Sequence, residues 1–338
     1  MLVVRAAKSV DHGAFVDLAR STGSGFTSLS LSDEELAKKL MTSERSFGGV
    51  IEDRSDAHYQ LMLIDSETGD IMGTSAVKAG VGIKKPYFDF KIITLAQSSK
   101  EAQRRFDMDV MLLVNDFAGC TEVGSLFVSD GARGRGAGRL IAQARYMLIA
   151  NDLTRFGPRL LSELRGVVSE DGHSPFYDHV SKPFFRMSFD EADQMSAATD
   201  NQFILDLMPK HPIYLDLLPK AAREVVGQTH PHGVGALRLL EAENFRYDNY
   251  VDVFDGGPLV SVDTADCRTI KDSQLRALAS SPLGHAAVKA MVSTTSVDGF
   301  RCVFTEIEAD EHVAYLSDEA RTALRVGPGD TIRMWEAP

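Results

Sequence analysis

EVGSLFVSDGARGRGAGRL, residues 122–140, decides how this chain is read. Val123, Ser125 and Phe127 alternate with Gly124, Leu126 and Val128, the period-2 spacing of a strand with two distinct faces, and Asp130-Gly131 ends it. The run Arg133-Gly134-Arg135-Gly136-Ala137-Gly138 then places glycines where a backbone must approach a ligand closely and leave its N–H groups free. From Arg139 onward, Leu140, Ile141, Ala144, Met147 and Leu148 recur at helical spacing, so the loop lies at the positive end of a helix dipole. With the charges of Arg133, Arg135 and Arg139 added, the stretch predicts a site for an anionic, phosphate-bearing ligand; a flexible surface turn is the competing reading. No Gly-Lys-Ser/Thr follows, which excludes a P-loop, and neither an acidic ribose ligand nor a βαβ setting favours a dinucleotide fold.

The strand, the Arg-x-x-Gly-x-Gly run and the amphipathic helix together resemble the coenzyme A pyrophosphate loop of GNAT-type acyltransferases. In that fold the preceding strand also contacts the pantetheine arm and the thioester carbonyl, which the resemblance assigns here to Leu126, Phe127 and Val128.

Working outward, Leu2 to Arg5 reads as a first strand, and a helix follows it carrying Phe15, Leu18 and Ala19. STGSGFTSLS is turn-rich, until Ser32 and Glu35 form a capping box before Leu36 and Leu40. His58 to Asp65 and Ile71 to Ala79 are strands joined by the hairpin connection Ser66-Glu67-Thr68-Gly69. Between Gly80 and Gly119 only Lys91 to Leu95 reads as a strand. Past the loop and its helix, the pattern predicts a strand over Arg159–Val168, a short helix over Ser174–Val180 and an edge strand over Phe184–Phe189. This order predicts a mixed α/β, GNAT-like domain over residues 1–190. A helix over Gly235–Glu243 and a strand over Phe245–Phe254, closed by Asp255-Gly256-Gly257-Pro258, echo the end of such a domain. They suggest a partial second GNAT-like unit over residues 191–260, with a small β-rich C-terminal subdomain over residues 261–338.

Length and composition bound the function. A chain of 338 residues that is 44% hydrophobic supports a substantial core. Its net charge of −12, from 48 acidic and 36 basic residues, argues against a nucleic-acid partner and makes the arginine loop a local feature. Cys120, Cys267 and Cys302 are far apart and lack CxxC spacing, so neither a disulfide framework nor a metal site is expected. Arg5, Lys8 and Asp11 interrupt the N-terminal apolar residues and deny them a signal-peptide pattern, and no apolar run has the length of a membrane span. These readings predict a cytoplasmic protein.

Acyl transfer to an amine needs a polarised carbonyl and a proton for the departing thiolate. Among nine histidines, His230 lies in the polar loop Gly227-Gln228-Thr229-His230-Pro231-His232-Gly233 and suits a pocket mouth, with a plain surface residue as the alternative. His211 lies between Pro209 and Pro212, where a packed structural turn competes with a role in substrate binding. Glu163 and Arg165 alternate with Leu161 and Leu164 near a strand end; one suits an ammonium or guanidinium, the other a carboxylate, and a plain salt bridge is equally compatible. Cys120 reads as a small buried thiol rather than a nucleophile.

Taken together, STGSGFTSLS, SLFVSDGARGRGAGRL, SELRGVVSEDGHSPFYDHVSKPFFRMSF, LMPKHPIY, VVGQTHPHGVGALRLLEAENFRYDNYVDVFDGGP and RVGPGD resemble the arginine N-succinyltransferase family in the family's order. The resemblance implies transfer of the succinyl group of succinyl-CoA to the α-amino group of L-arginine in arginine catabolism, with ornithine as a second acceptor in some members. It implies succinyl-CoA as cosubstrate with no tightly bound cofactor. It further implies that His230 is the proton donor, that Leu126 contacts succinyl-CoA and that Arg133 to Gly138 hold the pyrophosphate. The family occurs as homo-oligomers or as paired non-identical subunits. Another acyl-CoA-dependent amine acyltransferase, or a catalytically idle CoA-binding subunit, stands as the alternative.

Overall fold

A computed structural model of the protein describes residues 1–22, 28–169, 172–199 and 201–336. Residues 23–27 of the turn-rich STGSGFTSLS segment, and residues 170–171 of the SELRG block, lie outside that description. The chain divides into two compact units, one from residues 1–80, 121–160 and 263–338, the other from residues 81–120 and 161–262.

In the first unit, β1 (Leu2–Ala6), β2 (His58–Asp65), β3 (Ile71–Lys78) and β6 (Thr121–Val128) pair antiparallel in that order. Helices α1 (His12–Arg20), α2 (Asp33–Phe47) and α3 (Ala137–Asn151) complete the predicted succession of elements. The capping box opens α2: the Ser32 hydroxyl accepts from the Glu35 N–H at 3.3 Å, and the Ser32 N–H donates to the Glu35 carboxylate at 2.9 Å. One face of α2 buries Leu36, Leu40, Ser43 and Phe47 at helical spacing. Helix α3 is buried around its whole circumference, Gln143 and Arg145 included, which marks it as an interior element rather than a surface one.

The C-terminal strands β11 (Gln274–Leu278), β12 (Val288–Thr294), β13 (Arg301–Ala309), β14 (Val313–Leu316) and β15 (Thr331–Glu336) confirm a β-rich C-terminal region. Their pairings close into a ring, β12 to β15 to β11 to β14 to β13 and back to β12. Strand β13 also pairs with β1, Val303 opposite Val3, so this region is continuous with the sheet that begins at Leu2. One core runs through both, with Val3, Phe15, Leu40 and Met62 packed together with Val292, Val303, Leu316 and Ile332. One division, between residues 262 and 263, falls close to residue 260, but residues 263–338 belong with residues 1–80 and 121–160, because hydrogen-bonded pairing, not chain proximity, decides which strands share a core.

The second unit carries β7 (Arg159–Glu163), β10 (Pro258–Asp263), β9 (Arg246–Asp252), β4 (Asp89–Ser99), β5 (Arg104–Val114) and β8 (Ile213–Tyr214), neighbours in that order. Phe90, Met111, Phe176, Tyr177, Val180, Phe185, Ile204 and Val251 form its principal core. The segment between Gly80 and Gly119 is a long hairpin; the predicted strand over Lys91–Leu95 is the middle of β4, and β5 escaped the reading. Two further expectations need correction. Phe184–Phe189 is no strand: Lys182–Phe185 is a helical turn, Arg186 takes φ 55°, and Ser188 with Glu191 forms a capping box that opens a helix over Phe189–Ala198. The strand from Arg159 stops at Glu163 rather than Val168, because the Gly166 N–H donates to the Asp255 carboxylate at 2.8 Å instead of to a neighbouring strand. Cys120, Cys267 and Cys302 are buried, and none is joined in a disulfide. No helix among the described residues is long and apolar enough to cross a membrane.

Candidate functional site

In the first unit, the end of β6 and the loop behind it form one continuous surface. The β3–β6 register passes from Thr74 opposite Phe127 to Ala76 opposite Gly124, so Ser125 and Leu126 together face Ser75. This is a β-bulge, with Ser125 at φ 50°, and it turns main-chain groups at Ser125 and Leu126 out of the ladder. After it come the turn Asp130–Ala132 and the glycines Gly134 at φ 80° and Gly136 at φ 77°, the latter capping α3. A Cβ added at Gly131, Gly134, Gly136 or Gly138 would meet nothing within 4 Å, so the backbone there faces open space at the N-terminus of a fifteen-residue helix. That arrangement fits a pyrophosphate, which takes main-chain N–H donors and the helix dipole together.

The three arginines are not equivalent. Arg133 pairs with Asp130 at 2.8 Å and donates to the Val128 carbonyl at 3.3 Å, and Arg139 donates to the Gln143 side chain at 3.1 Å. Arg135 is exposed and makes no hydrogen bond or ion pair with another described residue, which leaves its whole charge for an incoming anion.

A cation sits beside the bulge that sequence reading passed over. The Ser125 hydroxyl donates to the Ser28 hydroxyl at 3.1 Å, and the Lys39 ammonium donates to the Ser28 carbonyl at 2.5 Å. Burial, with the positive charge of Lys78, brings the Lys39 amine down to about 8, against the opposing charges of Glu122 and Glu35. Lys78 is itself paired with Glu122 at 2.7 Å. His58 is driven down to about 3 by burial first and by Lys39 next, so its imidazole is neutral and bonded to Gln60 at 3.0 Å. Lys39 follows Lys38 on the charged side of α2 and carries no local signal; only the approach of β6 distinguishes it.

In the second unit, the chain beyond β7 and the turn between β9 and β10 lock together. The Leu164 N–H donates to the Pro258 carbonyl at 3.0 Å, and the Asp255 carboxylate accepts from Gly166 and Gly257 N–H groups, each at 2.8 Å. Burial, together with the neighbouring Asp252 charge, pushes Asp255 up to about 8. The His230 N–H donates to the Arg165 carbonyl at 2.8 Å, which brings two of the sequence-derived residues together through the main chain.

His230 caps the turn Pro231–Gly233, and its Nδ1 accepts the His232 N–H at 3.2 Å. An imidazole whose Nδ1 lone pair is used in this way carries its neutral-form proton on Nε2. Burial, then Arg165, then His232 lower its pKa below the usual 6.5, while a hydrogen bond to the Val168 backbone opposes them. Asp193 is raised to about 6 by burial, Asp252 and Asp190, with Arg165 opposing. Arg165 is thus the shared positive charge beside a histidine and a set of carboxylates. Glu163 is exposed at the end of β7. His211 is exposed just before β8 and itself makes no hydrogen bond or ion pair to another described residue. Asp193, Asp252 and Asp255 also escaped sequence reading: the last two lie in a strand and turn whose letters declare only a turn.

Comparison with known proteins supplies the context for this geometry. Residues 2–269 match the family model described as Arginine N-succinyltransferase beta subunit, and residues 274–336 match the model for its C-terminal domain. An arginine N-succinyltransferase from Escherichia coli is 34% identical over 335 residues, covering 99% of this chain and 97% of that protein. The protein of that name from Enterobacter is 33% identical over the same share of both chains. The solved structure of arginine/ornithine succinyltransferase subunit AI from Pseudomonas aeruginosa superposes with a TM-score of 0.87 at 30% identity, covering 99% of this chain and 98% of that one. Since the same relationship spans the bulged strand, the glycine loop, the His230 turn and the C-terminal strands alike, the chain belongs to the arginine N-succinyltransferase family.

Proposed function

We propose that this protein transfers the succinyl group of succinyl-CoA to the α-amino group of L-arginine, with ornithine as a second acceptor. One observation carries the reading: a 34% identity to an arginine N-succinyltransferase that extends over 99% of the chain. In this reading Arg133 to Gly138 hold the pyrophosphate, with Arg135 as its free cation. Leu126, Phe127 and Val128 line the pantetheine arm, and the bulge supplies a main-chain donor for the thioester carbonyl oxygen as it gains negative charge. The neutral amine attacks the carbonyl carbon, the new C–N bond forms, and the C–S bond breaks. His230 Nε2–H delivers its proton to the leaving thiolate, which makes it the proton donor for thiol departure, and the proton lost from the new amide nitrogen returns to the ring through solvent, so the imidazole ends neutral as it began. Glu163, Arg165 and His211 serve the acceptor and the acyl chain. The enzyme works in the cytoplasm as a homo-oligomer or beside a paralogous subunit. We further read residues 191–260 as a partial second copy, on the helix Val234–Glu241 and the strand that follows it.

Thiol release from succinyl-CoA with L-arginine, run beside ornithine, lysine and acetyl-CoA, tests the activity. Arginine-dependent release is expected; tight CoA binding with no release to any amine would replace this reading with an idle CoA-binding subunit.

Selection of succinyl over acetyl chains requires a partner for the distal carboxylate; we assign that role to Arg165, with Lys39 as the alternative cation. Arg165→Ala or Lys39→Met is expected to reduce the succinyl-CoA to acetyl-CoA preference about tenfold or more, the scale of one charge-assisted hydrogen bond. Unchanged preference in both variants would remove these cations from acyl recognition.

A further inference from the structure

The hairpin of β4 and β5 is far longer than the sheet that holds it. Strands β4 and β5 pair from Asp89 opposite Val114 to Ser99 opposite Arg104, yet β9 covers β4 only at Asp89–Lys91 and β8 covers β5 only at Val110–Met111. Beyond those residues the hairpin continues as two strands with no third neighbour among the described residues. Isolated two-stranded ribbons are marginal in water, and an open edge invites another strand. One face carries Ile93, Leu95, Phe106 and Met108, with Phe106 52% and Ile93 37% exposed. The other carries Thr94, Ala96, Ser98, Arg105, Asp107 and Asp109, with Thr94 donating to Asp109 at 2.6 Å.

The open edge of β5 reads Arg104-Arg105-Phe106-Asp107-Met108-Asp109, basic at its start and acidic at its end. A strand of that polarity complements itself when it runs antiparallel to a second copy. A two-fold axis perpendicular to the sheet keeps each face on its own side, so it must pass through a residue position rather than between two. Centred on Arg105 it sets two arginines opposite; centred on Asp107 it sets two aspartates opposite; centred on Met108 it sets Asp107 against Asp109. Centred on Phe106, it places Arg105 opposite Asp107 twice over and Phe106 opposite Phe106. That register uses Arg104 to Met108, the part of β5 that β8 leaves open.

We propose that β5 is a dimerisation edge, pairing antiparallel with β5 of a second copy about Phe106 to build a four-stranded, isologous arm. The inference deepens the homo-oligomer reading above and rests on it.

Sedimentation across a wide concentration range, with circular dichroism on each variant, tests it. Wild type is expected to associate as a dimer or a multiple of one. R105D and D107R each replace two attractive pairs by two repulsive ones and should weaken association about tenfold or more, while the double variant R105D/D107R restores both pairs and the association. A monomeric wild type overturns both the edge and the homo-oligomer reading. An oligomer indifferent to the single substitutions overturns only the edge. Folded single variants that dissociate without rescue in the double variant overturn the register centred on Phe106. Arginine-dependent thiol release, measured on the same samples, reports separately on the catalytic reading.

Discussion

Replacing His230 by alanine is expected to lower kcat for arginine succinylation by about 10²- to 10⁴-fold while changing the KM for succinyl-CoA little, the range set by losing one general acid–base group. The reason lies in the tautomer. The His232 main-chain N–H occupies Nδ1 at 3.2 Å, so the neutral ring presents Nε2 as the nitrogen that carries and passes the proton. Burial and then Arg165 hold the pKa below 6.5, so the ring is mostly neutral at pH 7 and passes its Nε2 proton to sulfur from that form, the proton lost by the amide nitrogen restoring it afterwards. The sign of the pH profile follows: as pH drops through a value below 6.5 the ring is protonated at Nδ1 and loses the His232 N–H that orients it, so kcat should fall. A starting imidazolium would produce the opposite limb. His232→Ala keeps the main-chain donor and should keep most activity, while its acid limb moves upward because His232 is one of the groups that lower the His230 pKa. An H230A enzyme within a few-fold of wild type would take His230 out of the proton path.

Gly257→Ala should destabilise the protein by about 1–3 kcal/mol or more and reduce kcat, since it forces an extra methyl into a closed junction. An added Cβ would lie 2.1 Å from the Leu164 carbonyl oxygen and 2.5 Å from the Gly166 nitrogen, both main-chain atoms that cannot rotate away. Gly166 is closed from the other side, its added Cβ falling 2.4 Å from the Asp255 carbonyl. Two backbones therefore touch here with no side chain between them, and the Asp255 carboxylate ties them through both glycine N–H groups. The residue between Leu164 and Gly166 is Arg165, whose carbonyl holds the His230 N–H, so displacement at Gly257 reaches the His230 turn within one unit. Urea denaturation beside Gly131→Ala, where an added Cβ meets nothing within 4 Å, separates the effect of the junction from that of any lost glycine. Equal midpoints for the two variants would show that the junction yields.

Much of this protein was legible in its residues because the decisive physics is local. A capping box at Ser32 and Glu35, the alternation over His58–Asp65, and the glycines ahead of α3 each act within a few residues, and each appears where its pattern places it. The same logic, applied to Ser188 and Glu191, would have replaced the expected strand over Phe184–Phe189 by a helix start; there the signal was present and aromatic β-propensity outweighed it.

What the letters of the chain determined by themselves is therefore the glycine loop, the succession of elements that carries it, the β-rich character of the C-terminal region and the family. Tertiary structure alone decided that β13 joins β1, that Ser125 bulges beside Lys39, that Asp255 clamps Gly166 to Gly257, and that among the described residues β5 keeps an open edge. Each depends on residues tens to hundreds of positions apart, and the burial and electric fields that tune Lys39, Asp255 and His230 arise only once those residues are brought together and water is displaced.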